Sequence, residues 1–360
     1  MKILYAIQGT GNGHLSRARD IIPLLMQKAD VDILISGEQA DVAIPYPITY
    51  RFKGLGFVFG KKGGIDLLST YKKANLKRLF KEISSLPVEK YDLVISDFEP
   101  VSAWACYRKN KACIALSHQA AVLNKNAPQP GHADPLGKAI LKNYCPTTFQ
   151  YGFHFKAYDK HIFTPVIRSA IRNIPVTTEK HYTVYLPAYD DERIVKVLSL
   201  FKGIEWQVFS KHNKKVKKYK NIVVAPISNE SFIQSMASCR GVLCGAGFET
   251  PAEALFMQKK LLVIPMKGQY EQQCNAAALA QLGIPVIKSL KKKHEGAIGQ
   301  WLASEQRVTV HYPDITQSIL DDLLARASEL SRPLHPGSKI ASPKKLRQLT
   351  LKRIIVQLVK

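Results

Sequence analysis

The chain has 360 residues, 46% of them hydrophobic and 22% charged, an ordinary globular balance that excludes a disordered or collagen-like polymer and leaves room for about two domains. Fifty-two Lys and Arg against 28 Asp and Glu give a net charge of +24, which points to an anionic partner and says nothing of fold. No run reaches the ~18 apolar residues of a membrane span, the apolar start Lys2–Ile7 meets glycines without a cleavage signature, and six cysteines without a CxxC pair predict reduced thiols in a cytoplasmic protein.

Short runs of Val, Ile and Leu alternate with segments of helical period, the pattern of parallel sheets covered on both faces. The first half predicts strands at Lys2–Gln8, Val31–Ser36, Leu93–Ser96 and Cys113–Ser117, with helices at Leu15–Lys28 and Leu67–Leu86. The second half predicts strands at Tyr182–Leu186, Glu205–Phe209, Ile222–Pro226, Gly241–Leu243, Lys260–Pro265 and Pro285–Lys288. Helices are expected between them at Glu192–Phe201, Glu230–Cys239, Thr250–Gln258 and Glu271–Leu282. The segment Phe163–Thr178, bracketed by Pro165 and Pro175, fits neither a strand nor a long helix and divides the chain. The expected fold is α/β: two Rossmann-like domains, residues 1–165 and 176–330, with parallel sheets facing an interdomain cleft, then a basic tail at 331–360. Ligands of such sheets bind beyond the carboxyl ends of the strands, so function is expected in the cleft.

Two glycine loops end strands there. Gln8-Gly9-Thr10-Gly11-Asn12-Gly13-His14 leads directly into a helix, whose first N–H groups and positive dipole end suit an anion. The spacing is GxGxG rather than the GxGxxG of a dinucleotide site, and no acidic residue closes a second strand at the expected distance. His14, at the junction of loop and helix, can serve as a general base near neutral pH; the alternative is a structural histidine. The second loop, Cys244-Gly245-Ala246-Gly247-Phe248-Glu249-Thr250-Pro251-Ala252-Glu253, again puts small residues before a helix, with Thr250 expected as its cap. This is the local form of a diphosphate site. Glu253, one turn in, can reach a ribose diol or stand solvated. A third cluster, Glu271-Gln272-x-x-Asn275, pairs acceptor carboxylate with amides that both donate and accept, which suits sugar hydroxyls or a polar helix cap.

The spacing Gly247-x-x-Thr250-x-x-Glu253, then Pro265, then Glu271-Gln272-x-x-Asn275-Ala276 resembles the nucleotide-sugar signature of the GT-B glycosyltransferases. The likeness is to the family 28 branch, which includes the peptidoglycan N-acetylglucosaminyltransferase MurG and plant galactolipid synthases. The start Gly9-x-Gly11-x-Gly13-His14-x-x-Arg17 and the EQxxNA helix are closest to a prokaryotic MurG-like group, a resemblance that implies fold and donor class and no particular acceptor. It implies that Gly9, Gly11, Gly13 and His118 lie on the acceptor side, with His14 as base and Asp97 as the carboxylate that orients it. Gly245, Ala246, Gly247, Phe248, Thr250, Glu253, Glu271, Gln272 and Asn275 would then hold the donor. The chain departs from the pattern at Gly245, where plant family 1 enzymes carry a histidine and MurG an arginine, so phosphate binding must rest more on backbone N–H groups. Asp30-Val31-Asp32 has the letters of a DxD metal motif but opens a strand far from the donor loops; no metal and no cofactor are expected beyond the substrate, a nucleotide diphosphate sugar with UDP favoured by the resemblance.

The implied reaction is inverting transfer of a hexose or N-acetylhexosamine to a hydroxyl of a lipid or saccharide acceptor. The same fold and loops serve nucleotide-sugar hydrolases and 2-epimerases, and +24 keeps a non-enzymatic polyanion binder open, although no specific nucleic-acid motif is present. Arg51–Lys81 holds nine Lys/Arg against Asp66 alone, with Phe52, Phe57 and Phe59 among five glycines, and the last thirty residues hold eight Lys/Arg and no acid on a roughly amphipathic pattern. Either is suited to the anionic inner face of the plasma membrane, or to solvation. Lys211–Lys220, with six lysines, reads as an exposed connection.

Overall fold

The computed structural model describes residues 1–37, 44–55, 59–60, 64–65, 75–131 and 134–330. Most of the glycine-rich basic loop between Phe52 and Asn75, and the whole of the 331–360 tail, lie outside the described residues.

The first domain is built on a seven-stranded sheet in the order β3-β2-β1-β4-β5-β6-β7, formed by Lys2–Gln8 (β1), Asp30–Ser36 (β2), Tyr50–Phe52 (β3), Leu93–Asp97 (β4), Cys113–Ser117 (β5), Phe149–Phe153 (β6) and Ile162–Phe163 (β7). All its pairings are parallel. Alternation along β1 explains the layering: Ile3, Tyr5 and Ile7 face one side and pack with Leu15, Ala18, Ile21, Ile22 and Leu25 of helix Asn12–Met26 (α1). Leu4 and Ala6 face the other, against Leu79 and Ile83 of Leu76–Ser85 (α2) and Val101, Trp104 and Ala105 of Pro100–Arg108 (α3). Both faces are covered, so β1 is an unbroken apolar run instead of an alternating one. Truncating a buried residue such as Leu4 to Ala costs about 2–5 kcal/mol.

The second domain repeats the plan in the order β10-β11-β9-β8-β12-β13, from Tyr182–Tyr185 (β8), Trp206–Ser210 (β9), Lys217–Tyr219 (β10), Ile222–Pro226 (β11), Gly241–Gly245 (β12) and Lys260–Ile264 (β13). Only β10 among these runs antiparallel. It occupies part of the lysine-rich segment expected to be an exposed connection, which is exposed but partly a strand, and its lysines on that edge discourage pairing with another chain. The strand expected at Pro285–Lys288 is reduced to one bridge, Val286 to Val263; Pro285 has no N–H to extend the ladder. Helix α2 starts at Leu76, capped by Asn75, which accepts from Arg78 N at 2.9 Å.

The helices that follow α3 are His118–Val122 (α4), Pro135–Tyr144 (α5), Ser169–Arg172 (α6), which is all that residues 164–181 carry between the sheets, Asp191–Leu198 (α7) and Asn229–Ser238 (α8). The last described helix, Thr316–Leu330, returns to pack on α1, with Lys28 Nζ 2.6 Å from Asp321 and the Tyr151 hydroxyl donating to Asp322. By packing it joins the first domain although it follows the second in sequence. One hydrophobic core runs continuously from α1 through Phe155 to Ala252 and Leu255 of the second domain, so the cleft between the sheets has a fixed floor.

Candidate active site

In the first sheet, β1 lies between β2 and β4, so the chain leaves it on one side and returns on the other. That switch of direction opens a crevice at the strand ends, and Ile7 of β1 is in register with Asp97 of β4 beside it. Gly9 makes this possible: its N–H bonds Ser36 O at 2.6 Å, and a Cβ there would sit 2.9 Å from Ile35 Cγ2. Gly11 precedes α1 with extended backbone, no side-chain cap and open space around it. Gly13 is packed so closely on the second domain that a Cβ would lie 2.9 Å from Glu249 Cγ. On the β4 side, Phe98 takes a left-handed φ of 56°, a costly conformation for an aromatic residue. Its ring stacks 4.7 Å from Tyr144, with His14 6.5 Å away.

His14 Nδ1 lies 2.8 Å from Asp97 Oδ1. The Asp97 carboxylate is fully buried and also accepts two bonds of 2.7 Å from Arg17. Burial alone would raise its pKa, but Arg17 and His14 hold it below the usual carboxylate range. The His14 tautomer follows from the next residue out. Gln119 Nε2 donates to Glu271 Oε2 at 3.0 Å, and a carboxylate only accepts, so the same NH2 group faces His14 Nε2 at 3.4 Å. Nε2 is therefore the acceptor and Nδ1–H the donor to Asp97, which leaves the lone pair on the cleft side.

The cleft, of about 810 Å³, is lined by both domains. Facing His14 is helix Glu249–Phe256 (α9), which starts one residue earlier than expected: Phe248 is its N-cap, and Thr250 is the second helical residue and makes no cap. Gly245, Gly247, Phe248, Glu249 and Thr250 line the cleft, whereas Ala246 is fully buried and its N–H is spent on Ile264 O at 3.3 Å. The amides from Gly247 onward are those that an anion can reach. Burial pushes the Glu249 carboxyl up to about 7, against the nearby Arg17 guanidinium, which donates to it. Glu253, 2% exposed, sits in a forked pair with Arg168 of the connecting segment, Nη2 to Oε2 at 2.7 Å. Arg168 itself extends to Asn229 at 2.7 Å.

The polar cluster on helix Tyr270–Gln281 (α10) is divided in its duties. Glu271 faces the cleft, and Gln272, also on its wall, accepts from Met266 N at 2.9 Å and braces the loop after β13. Asn275 is fully buried: its amide donates to Ala246 O at 3.1 Å and its oxygen meets His118 Nε2 at 2.7 Å. His118, in the short helix His118–Val122, bonds Phe153 O through Nδ1 at 2.7 Å and stacks on Phe248 at 3.9 Å. Burial lowers its pKa. His118 and Asn275 thus join the two domains beneath the Gly245–Phe248 loop and fix the Ala246 peptide. Arg17, Glu249, Gln119, Phe98 and Arg168 complete the site, and of these the sequence offered a signal only for Arg17 and Glu249, which stand inside the two motifs.

Among the described residues no cluster of three or more His, Cys, Asp or Glu is placed to hold a metal ion, and no helix is long and apolar enough to cross a membrane. No curated protein matches the sequence. The fold resembles that of MurG from Acinetobacter baumannii, with 13% identity, 90% of this chain and 99% of the other covered, and a TM-score of 0.54. It also resembles a Listeria monocytogenes protein assigned as a UDP-N-acetylglucosamine 2-epimerase (12% identity, 92% and 98% covered, TM-score 0.56). A further likeness is to Arabidopsis thaliana UGT89C1 in complex with UDP (12%, 100% and 100%, 0.52). At these identities the likeness speaks for the fold, two Rossmann-like domains of GT-B type. Residues 1–304 match the family described as Glycosyl transferase family 1, and with most of the chain inside that match the protein is a GT-B glycosyltransferase belonging to this family.

Proposed function

We propose that the protein transfers a hexose or N-acetylhexosamine from a nucleotide diphosphate sugar, UDP-linked by preference, to an acceptor hydroxyl with inversion at the anomeric carbon. The observation that carries this reading is the His14–Asp97 pair at 2.8 Å, with the other ring nitrogen, Nε2, on the cleft side where its neighbour is the Gln119 amide at 3.4 Å, opposite the amino end of α9. The donor's diphosphate lies against the amides of Gly247 to Thr250 and the helix dipole, with Glu253 reaching the ribose and Glu271 and Gln272 the sugar. Backbone dipoles fixed in advance stabilise the charge that develops on the departing diphosphate, which suits a site without a basic side chain at Gly245. His14 Nε2 takes the acceptor's hydroxyl proton as the oxygen attacks C1 from the face opposite the diphosphate; Asp97 stabilises the imidazolium so formed. The mechanism draws on no cofactor or metal besides the donor. The occurrence of UDP in UGT89C1 and the sequence resemblance favour UDP.

The acceptor enters from the first domain, past Gly11, Gly13 and Phe98, and is a lipid-linked or saccharide hydroxyl. The excess of basic charge suits an acceptor presented at an anionic membrane surface on the cytoplasmic side. Incubation with UDP-sugars, with and without hydroxyl acceptors, tests the reading. Transfer that depends on acceptor supports it; release of free sugar or a 2-epimer from donor alone, at a rate no acceptor increases, replaces it with a hydrolase or epimerase.

A further inference from the structure

Arg17 stands at the junction of both halves of the site. Its side chain is 1% exposed; Nη2 donates to both oxygens of Asp97 at 2.7 Å and lies 3.3 Å from His14 Nδ1, and Nη1 donates to Glu249 across the domain boundary. The guanidinium packs 5.4 Å from the Phe153 ring centre, and its Nε–H is buried without a partner. Burying a charge and leaving one donor unmet is an expensive way to stabilise a fold. The arrangement makes sense as control of charge.

Above about pH 7, where Glu249 is ionised, and with the imidazole neutral, His14, Asp97, Arg17 and Glu249 sum to one negative charge, and proton uptake by His14 brings the sum to zero. Without Arg17 the resting sum would be two negative charges, and the imidazole would be protonated before an acceptor arrived. Without Glu249 the resting sum would be zero and proton uptake would create a buried positive charge. Other ionisable groups of the same cluster are Glu271 on α10, reached through Gln119, Glu253, which adjoins Glu249, the Tyr5 hydroxyl on β1, whose pKa burial raises, and His118, whose pKa burial lowers.

We infer that Arg17 is the positioning residue that keeps His14 a free base by sharing Asp97 with it, and that its bond to Glu249 makes this balance depend on the donor domain being closed on the acceptor domain. The inference rests on His14 being the base. It explains why an arginine three residues after the histidine belongs to the glycine-loop motif, and why Gly13 admits Glu249 so closely.

The test is titration of the His14 ring by NMR in the full chain with labelled histidine, with neither donor nor acceptor present. Arg17→Gln is expected to raise the His14 midpoint by about one pH unit or more, as expected for loss of a cation within contact distance, and Arg17→Lys to restore part of the difference. Glu249→Gln is expected to lower the midpoint. The acid limb of kcat/KM follows the same shifts. An unchanged or lowered midpoint in Arg17→Gln overturns the inference, as does a shift of both variants in one direction; if Arg17→Gln fails to fold, a Glu249→Gln midpoint that does not fall is sufficient to overturn it. Because the titration uses no substrate, shifts of the expected signs in a chain that transfers no sugar would keep the charge balance and reject the functional reading, and transfer without the shifts would do the reverse.

Discussion

Glu249 offers the sharpest quantitative prediction. Its carboxyl is pushed from 4.5 to about 7 in the folded chain, by burial first and by the proximity of Glu253 next among the raising causes, with Arg17 opposing. A raised acid holds its proton over a range in which the unfolded chain has released it, so stability falls as pH rises from about 4.5 to about 7 and is lowest above both values. A displacement of about two and a half pH units is worth about 3 kcal/mol. In Glu249→Gln the amide oxygen still accepts from Arg17, and the titrating proton is gone. The stability difference, variant minus wild type, is therefore expected to grow by about 3 kcal/mol between pH 4 and pH 8. Urea unfolding at matched pH values, with both proteins measured in the same buffers, reads this directly, and taking the difference removes the titrating groups that do not interact with Glu249. Parallel stability curves across that range would refute the reasoning, since they would mean that Glu249 is either solvated or fully paired.

Other outcomes follow from the same geometry. His14→Ala is expected to reduce turnover by about 10²–10⁴, the usual contribution of a general base, with calorimetric affinity for UDP unchanged; near-wild-type turnover would remove the base assignment. Glu253→Ala should weaken UDP binding by about tenfold or more and free Arg168, and an unchanged titration would end the ribose role. Gly13→Ala forces Glu249 to move and is expected to lose about 1–3 kcal/mol as an overpacked site, measured by thermal unfolding, whereas Gly11→Ala, with open space around it, is tolerated. If the basic surface docks on membranes, the full chain sediments with vesicles rich in anionic lipid at low salt and is released at high salt; indifference to lipid charge would exclude that docking.

The layered plan was legible because both faces of each central strand are buried, which leaves an apolar run that no solvent-facing alternation disguises. Strand β6 is not marked in the sequence for the opposite reason: Phe149-Gln150-Tyr151-Gly152-Phe153 carries a glycine at its fourth position, which reads as a break. The structure shows why the glycine is there, since a Cβ on Gly152 would lie 2.7 Å from Ala121 N of the helix above. The His14–Asp97 pair could be proposed from the family resemblance, with Asp97 at a strand end the right kind of group for the role. The Arg17–Glu249 bond could not, because it joins residues 232 apart in two domains, and local periodicity carries no information at that range. Arg17 would by composition be assigned to solvent; what surrounds it in the fold, Asp97, Phe153 and Glu249, is remote in sequence. Asn275 illustrates the reverse error of emphasis, a residue expected to touch sugar whose fully buried amide instead secures Ala246 O and His118.

The central claim is a spatial one, that donor phosphate and base meet across the cleft. A crystal structure with bound UDP measures it most directly. The account predicts the diphosphate within hydrogen-bonding reach of the Gly247, Phe248, Glu249 or Thr250 amides, with its terminal phosphate directed toward His14 Nε2. Nucleotide bound away from α9, or an imidazole turned from the cleft in that complex, would contradict it.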